Sequence, residues 1–219
     1  MKKQTRHKLH QVYRLKDGTI VPGGSTIAGM IDKGFGMLRS AVKLTKEGLD
    51  YERVWADKAD VGTIAHARIL ADLKGVKVNL DEYSPLLVKA SDYCMESYFN
   101  WKSQHKVKPL KCEEQFVSEK MKVGGTMDFI GEVDGVLALA DYKTGGIYES
   151  AYIQTPGYML IAAENGLDVK IGRILNFPRT KDDSFKDIIL SPAEVVAYGD
   201  IFKKLCEIYW IKNALKKEG

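Results

Sequence analysis

Gly125-Thr126-Met127-Asp128-Phe129-Ile130 and Leu139-Ala140-Asp141-Tyr142-Lys143-Thr144-Gly145 decide how this chain is read, because they set two carboxylates and a lysine on paired β-strands. Between them lies Val133-Asp134-Gly135-Val136, and an Asp-Gly pair between strand-like runs marks a hairpin turn. Side chains two apart on a strand share a face, so Asp141 and Lys143 project together with Tyr142 opposite. The hairpin partner then brings Asp128 across to join them. Two acidic oxygens and a backbone carbonyl suit a hard cation such as Mg²⁺ or Mn²⁺, and an ammonium beside them can orient a water or steady a phosphate oxygen. These are the parts needed to hydrolyse a phosphodiester.

An Asp-x-Lys on a strand is common, and alone it usually means a solvated face or a surface ion pair worth under about 1 kcal/mol. Here both carboxylates stand at the edges of apolar runs, Met127 to Ile130 and Val136 to Ala140, and a carboxylate removed from water is costly unless paired or metal-bound. Upstream, Gly62-Thr63-Ile64-Ala65-His66 leads into a helical stretch that can carry His66 to the hairpin as a third ligand. Downstream, Gln154 and Tyr158 are spaced i, i+4, as on one helical face, where they can touch a nucleotide or brace Lys143. A lone histidine is more often structural, and a Gln/Tyr pair is more often half-buried surface. The ordered set carries the reading.

That order, Gly62-Thr63-x-x-His66, Gly125-Thr126-x-Asp128, Asp141-Tyr142-Lys143-Thr144-Gly145 and Gln154-x-x-x-Tyr158, resembles the PD-(D/E)XK nuclease superfamily. Within it the RecB-like exonuclease branch, with its phage and CRISPR-associated relatives, is the nearest match. The opening Tyr13 to Gly18 and Val21 to Ile27 is similar to the entry segment of phage-type members. The resemblance implies an α/β, restriction-endonuclease-like core with a small mixed central sheet flanked by helices. It implies one nuclease domain over residues 1–219, with an N-terminal helical elaboration at 1–60 and a catalytic core at 61–219. It also implies that His66, Asp128 and Asp141 ligate a metal together with the Tyr142 carbonyl, that Lys143 positions the attacking water, and that Gln154 and Tyr158 hold the strand. Glu114, on the strand before the hairpin, resembles an acidic position of many relatives and is expected just behind the ligands. Glu113 beside it leaves the register open, and a solvated strand edge is the alternative.

Three features depart from the family pattern. Asp141 stands where Glu is commoner, which shortens the reach by one methylene. Pro156 and Gly157 fall between Gln154 and Tyr158, and proline sits without strain only in a helix's first turn, so the helix begins near Thr155 or is kinked there. Iron-sulfur members carry four cysteine ligands, whereas this chain has only Cys94, Cys112 and Cys206, with no CxxC spacing, so no cluster is expected.

Composition frames the rest. At 219 residues, 45% hydrophobic and 28% charged, the chain can bury a substantial core. Three scattered cysteines point to a reducing compartment, and no apolar run approaches the roughly 20 residues that span a bilayer, so a cytoplasmic location is expected. A net charge of +4 does not by itself establish nucleic-acid binding. Locally, Lys2, Lys3, Arg6 and Lys8 form one basic cluster, Lys102, Lys106, Lys108 and Lys111 a second beside Trp101, and Lys203, Lys204, Lys212, Lys216 and Lys217 a third. Each can follow a phosphate backbone or be an ordinary solvated face.

Periodicity and cap signals predict helices from Ser25-Thr26 through Ile31, over 62–73, 81–101 and 151–165, and from the Ser191-Pro192 cap to Leu215. Strands are predicted at 113–119, 122–132, 135–142 and 169–177. The expected activity is that of a divalent-metal-dependent DNA exonuclease of phage or mobile-element type. It would act on DNA with a free end in recombination, repair or end processing, beside a recombination or replication protein. The alternatives are a non-catalytic nucleic-acid-binding module of the same fold and a structure- or sequence-specific endonuclease.

Overall fold

A computed structural model describes residues 11–32 and 34–216; the first basic cluster and Lys217 lie outside them. Strands β1 (Tyr13–Arg14) and β2 (Ile20–Val21) form a small hairpin, followed by α1 (Gly24–Ala28), a short 3₁₀ turn (Gly29–Ile31) and α2 (Phe35–Lys46). Next come α3 (Tyr51–Lys74), α4 (Pro85–Ala90) and α5 (Asp92–Gln104), then β3 (Val107–Ser118), β4 (Val123–Val133) and β5 (Val136–Thr144). The chain closes with α6 (Glu149–Glu164), β6 (Ile171–Phe177), β7 (Lys186–Ile189) and α7 (Pro192–Leu215).

Strands β3 to β7 make one mixed sheet in sequence order, antiparallel except for the parallel pair β5 and β6, which α6 connects. A parallel pair needs such a crossover, since a tight turn can only reverse the chain. Ile130, Leu139, Ile153, Ile161 and Phe202 pack one layer, between the sheet and helices α1, α6 and α7. Ile69, Tyr98, Trp101, Phe129, Tyr142 and Phe177 pack the other, between the sheet and helices α3 and α5. This is the mixed α/β core that the sequence leads one to expect.

Local signals explain most boundaries. The Asp50 side chain accepts from the Glu52 and Arg53 amides to start α3, and Gly75, at φ +65°, ends it. Ser191 and Glu194 form a reciprocal capping box, with Pro192 in the first turn of α7. Asp134 (φ +55°) and Gly135 (φ +84°) take the left-handed turn that the β4–β5 hairpin requires.

Several expectations change. The predicted helix 81–101 is two helices separated at Ser91, whose hydroxyl is buried and accepts from Arg68 at 2.6 Å. Ser25 and Thr26 lie inside α1 rather than capping it, since Gly23 is the cap residue. Helix α6 begins at Glu149 and runs through Pro156, so the proline neither starts nor ends it. Only the Tyr152 carbonyl loses its partner there, and the helix face bearing Gln154 and Tyr158 stays continuous.

Two glycine contacts fix how the N-terminal segment and α6 sit. A Cβ on Gly24 or on Gly125 would come within 2.5 Å of the Tyr158 ring, so α1, β4 and α6 meet around that tyrosine. A Cβ on Gly157 would lie 2.4 Å from the ring of Phe202, which is fully buried. Gly157→Ala is therefore expected to lower stability by about 1–2 kcal/mol, because overpacking outweighs the roughly 1 kcal/mol that alanine gains in a helix. Urea denaturation checks this, and a more stable variant would show that Phe202 can retreat.

Candidate functional site

Strands β4 and β5 pair from Val133–Val136 back to Phe129–Ala140 and then part. Beyond that point β4 stays with β3, and β5 stays with β6. The fork opens at Asp128 and Asp141. The Tyr142 amide, left without a β4 partner, instead donates to Asp128 Oδ2 at 2.7 Å, so this carboxylate closes the gap in the ladder.

Helix α3 crosses the end of β5 closely enough that a Cβ on Gly62 would sit 2.8 Å from Thr144 Oγ1. One turn further on, His66 stacks edge-on to Tyr142 at 5.8 Å. Its Nδ1 lies 3.2 Å from Asp128 Oδ1 and 3.6 Å from Glu113 Oε1. Glu113 is turned inward by a left-handed backbone, φ +51°, between the Cys112–Phe129 and Glu114–Met127 pairs. That conformation is uncommon for a residue with a side chain and is retained where the surroundings impose it. Asp141 is 2% exposed, with Lys143 Nζ 2.6 Å from Oδ2 and Gln154 Nε2 donating to Oδ1 at 3.1 Å. Gln154 Oε1 also accepts from Lys143 at 3.4 Å, so one amide braces both members of the pair. His66, Glu113, Asp128, Tyr142 and Lys143 border a cavity of about 870 Å³ whose other wall includes Gln11, Tyr13, Ser25 and Thr26.

The electrostatics follow from burial and crowding. Burial alone would lower the His66 pKa, but Asp128 and Glu113 outweigh it and hold the group at about 10. Burial would raise Asp128, yet His66 and Lys143 keep it below the usual carboxylate range. Asp141 is pushed up, first by burial, against the pull of Lys143. Lys143 would fall on burial, but Asp141 and Asp128 hold it above its ordinary value, so it stays charged.

The donor set suits a divalent cation. His66, Glu113 and Asp128 each offer a ligand atom, and these atoms lie within 4.8 Å of one another. Asp141 Oδ2 is buried without a well-directed hydrogen bond, although Lys143 stands beside it. Two carboxylates and one imidazole give an oxygen-rich donor set with a single nitrogen, of the kind that holds a divalent cation. The sequence profile of the PD-(D/E)XK nuclease superfamily matches residues 37–210.

The chain belongs to the PD-(D/E)XK nuclease superfamily.

Among solved structures it is similar to a Eubacterium rectale protein provisionally described as an exonuclease, with 14% identity, 70% of this chain and 68% of that one covered, and a TM-score of 0.49. It is also similar to the protein SSO0001, with 13% identity, 67% and 73% covered, and a TM-score of 0.31. No curated protein matches the sequence. Among the described residues, no helix is long and apolar enough to cross a membrane.

Of the residues expected in this PD-(D/E)XK site, the fork brings together His66, Asp128, Asp141, Tyr142, Lys143 and Gln154. Glu114 is not among them. It pairs with Lys111 at 2.7 Å, while its neighbour Glu113 turns in through its left-handed backbone. The only signal for this in the sequence was the adjacent pair of glutamates. Tyr158 is 5% exposed and packed on Gly24 and Gly125, so it presents no ring face to a base. In the 102–111 cluster, Lys102 pairs with Asp72, Lys108 with Glu132 and Lys111 with Glu114, which uses most of that cluster's charge within the protein.

The His66 shift makes a prediction for the metal-free protein. Its folded pKa of about 10 exceeds the ordinary 6.5, so its contribution to stability is full below pH 6.5 and is lost as pH rises through 10. NMR titration of the imidazole should show a protonated ring at pH 8, and Asp128→Asn should bring the midpoint down. A wild-type midpoint below 7 would contradict the geometry described above.

Proposed function

We propose that this chain is a divalent-metal-dependent DNA exonuclease, and the observation that carries this reading is the convergence of His66, Glu113 and Asp128 beside the Asp141–Lys143 pair. His66, Asp128 and Asp141, with the Tyr142 carbonyl and with Glu113 added, would hold Mg²⁺ or Mn²⁺. When bound, such an ion supplies positive charge to the scissile phosphate and a water of lowered pKa. Lys143, kept charged by its carboxylate neighbours, aims the attacking water and takes up charge developing on the phosphate oxygens. Gln154 holds Asp141 and Lys143 in mutual register.

Membership of the superfamily supports the nuclease reading, and His66 in the ligand set favours the exonuclease branch by resemblance. Phage or mobile-element recombination, repair or end processing in the cytoplasm, alongside a recombination or replication protein, is the proposed setting. The charged, fully assembled Asp128–Asp141–Lys143 set speaks against a module that only binds nucleic acid.

End-labelled single- and double-stranded DNA should be degraded with Mg²⁺ or Mn²⁺ and spared with chelator, while covalently closed circular DNA should survive. Rapid cutting of the closed circle would replace the exonuclease reading with an endonuclease one.

Substitutions separate the roles. Asp128→Ala and Asp141→Ala should abolish hydrolysis with the circular dichroism spectrum preserved. Lys143→Ala should keep metal and DNA binding but lose cleavage, whereas His66→Ala should weaken metal binding in calorimetry and recover partly in excess Mn²⁺. Gln154→Ala removes a supporting partner, and a loss of about 10- to 100-fold in activity is expected. Full activity in that variant would show that Asp141 and Lys143 hold their places unaided.

A further inference from the structure

Beyond Lys143 the chain continues through Thr144 into Gly145, at φ +94°, where a second cation packs against the backbone. A Cβ on Gly145 would stand 1.8 Å from Arg179 Nη2 and 2.6 Å from its Cζ, so the guanidinium lies where any other residue would place its side chain. Arg179 Nη1 also donates to the Lys58 carbonyl of α3 at 3.1 Å. The Gly145 carbonyl accepts from Asn176 Nδ2 at 2.8 Å, and Asn176 is the parallel-strand neighbour of Lys143. The other amide atom of Asn176, Oδ1, is buried with no hydrogen-bond partner among the described residues. Backbone, asparagine and arginine thus form one fixed unit at the carboxyl ends of β5 and β6. In open α/β sheets that end is where ligands bind.

The surroundings leave this unit room to act. Ala59, Gly62 and Thr63 line the cavity from α3 with small side chains, and Thr144 and Lys143 line it from β5. Arg179 is half-buried and reaches this wall through the Lys58 carbonyl, the chain neighbour of Ala59, and over Gly145, the chain neighbour of Thr144. A guanidinium is a planar fork that fits two phosphate oxygens at once, and holding it in place reduces the entropy lost on binding. The lysines at 102, 108 and 111, by contrast, are engaged with carboxylates of the protein itself.

We infer that Arg179 is a backbone-phosphate clamp for the nucleic-acid strand, holding a phosphate that flanks the scissile one along the line from Lys143 past Gly145. The inference rests on the nuclease reading of the site. The clamp binds substrate and takes no part in bond cleavage, so its loss weakens binding more than it slows the chemical step.

The test uses the full chain and fluorescein-labelled single- and double-stranded oligonucleotides, with calcium replacing magnesium for binding and magnesium present for cleavage. Arg179→Gln should raise KM with a smaller change in kcat, and should reduce the slope of log affinity against log salt by about 0.7–0.9, the value for one phosphate contact. Arg179→Lys should restore that slope, because it restores the charge, while leaving KM above wild type. Oligonucleotides carrying one neutral methylphosphonate at successive positions locate the contact. Neutralising one flanking phosphate should weaken wild-type binding yet add nothing to the loss already present in Arg179→Gln.

If Arg179 only ties the β6–β7 loop to α3, the variant loses thermal stability while slope and interference profile match wild type, and the clamp is overturned. A wild type that neither binds nor cuts any oligonucleotide overturns the nuclease reading itself. A wild type that cuts normally beside an unchanged Arg179→Gln overturns the clamp alone.

Discussion

The parting of β4 from β5 after the Phe129–Ala140 pair is the constraint on which the site depends. A continuous ladder would have paired the Tyr142 amide with β4 and left Asp128 as one more side chain on a sheet face. Because the strands separate, that amide needs a partner, and the Asp128 carboxylate supplies it while keeping its other oxygen for His66. One bond therefore repairs the backbone and orients a site residue. The opening also admits the Tyr158 ring between α1, β4 and α6, so the fork is filled from below as it is used from above.

Crowding three carboxylates into a partly dry fork is expensive for a folded chain, and the neighbouring groups show how the cost is met. His66 stays protonated well above its ordinary range, Lys143 is held above its own, and both act as internal counterions. A cation entering such a site competes with a proton on His66, so occupancy and protonation are linked. The arrangement favours binding over stability, as is common where a site is built from groups that would rather be in water.

Much of this was legible in the sequence because the hairpin is local. Asp134-Gly135 fixed the turn, the period-two pattern fixed the face, and Asp128, Asp141 and Lys143 followed from counting residues. His66 and Gln154 came from helices whose docking no local pattern records, and only their order along the chain pointed to the site. Glu113 was hidden because its left-handed backbone, φ +51°, departs from the extended alternation on which strand reading depends. Tyr158 sat at the right spacing but on the wrong side of exposure, since nothing in i, i+4 spacing tells a base platform from a ring packed on glycine backbones. The strands Tyr13–Arg14, Ile20–Val21 and Lys186–Ile189 were too short for periodicity to register. The first half of α3, mostly exposed and polar, lacks an apolar stripe to reveal it.

The N-terminal segment has a consequence for how the chain is made. Tyr13 and Thr126, whose hydroxyls meet at 3.0 Å on the cavity wall, are 113 residues apart in sequence. At ribosomal rates of roughly 5 to 20 residues per second, the β1–β2 hairpin and the fully buried Ile27 wait on the order of ten seconds before β4 exists to receive them. During that interval the segment is apolar surface without a home, and the fork can close only after the helix that follows it has been synthesised. Such a chain secures Tyr13 and Ile27 only after elements far downstream of them have emerged.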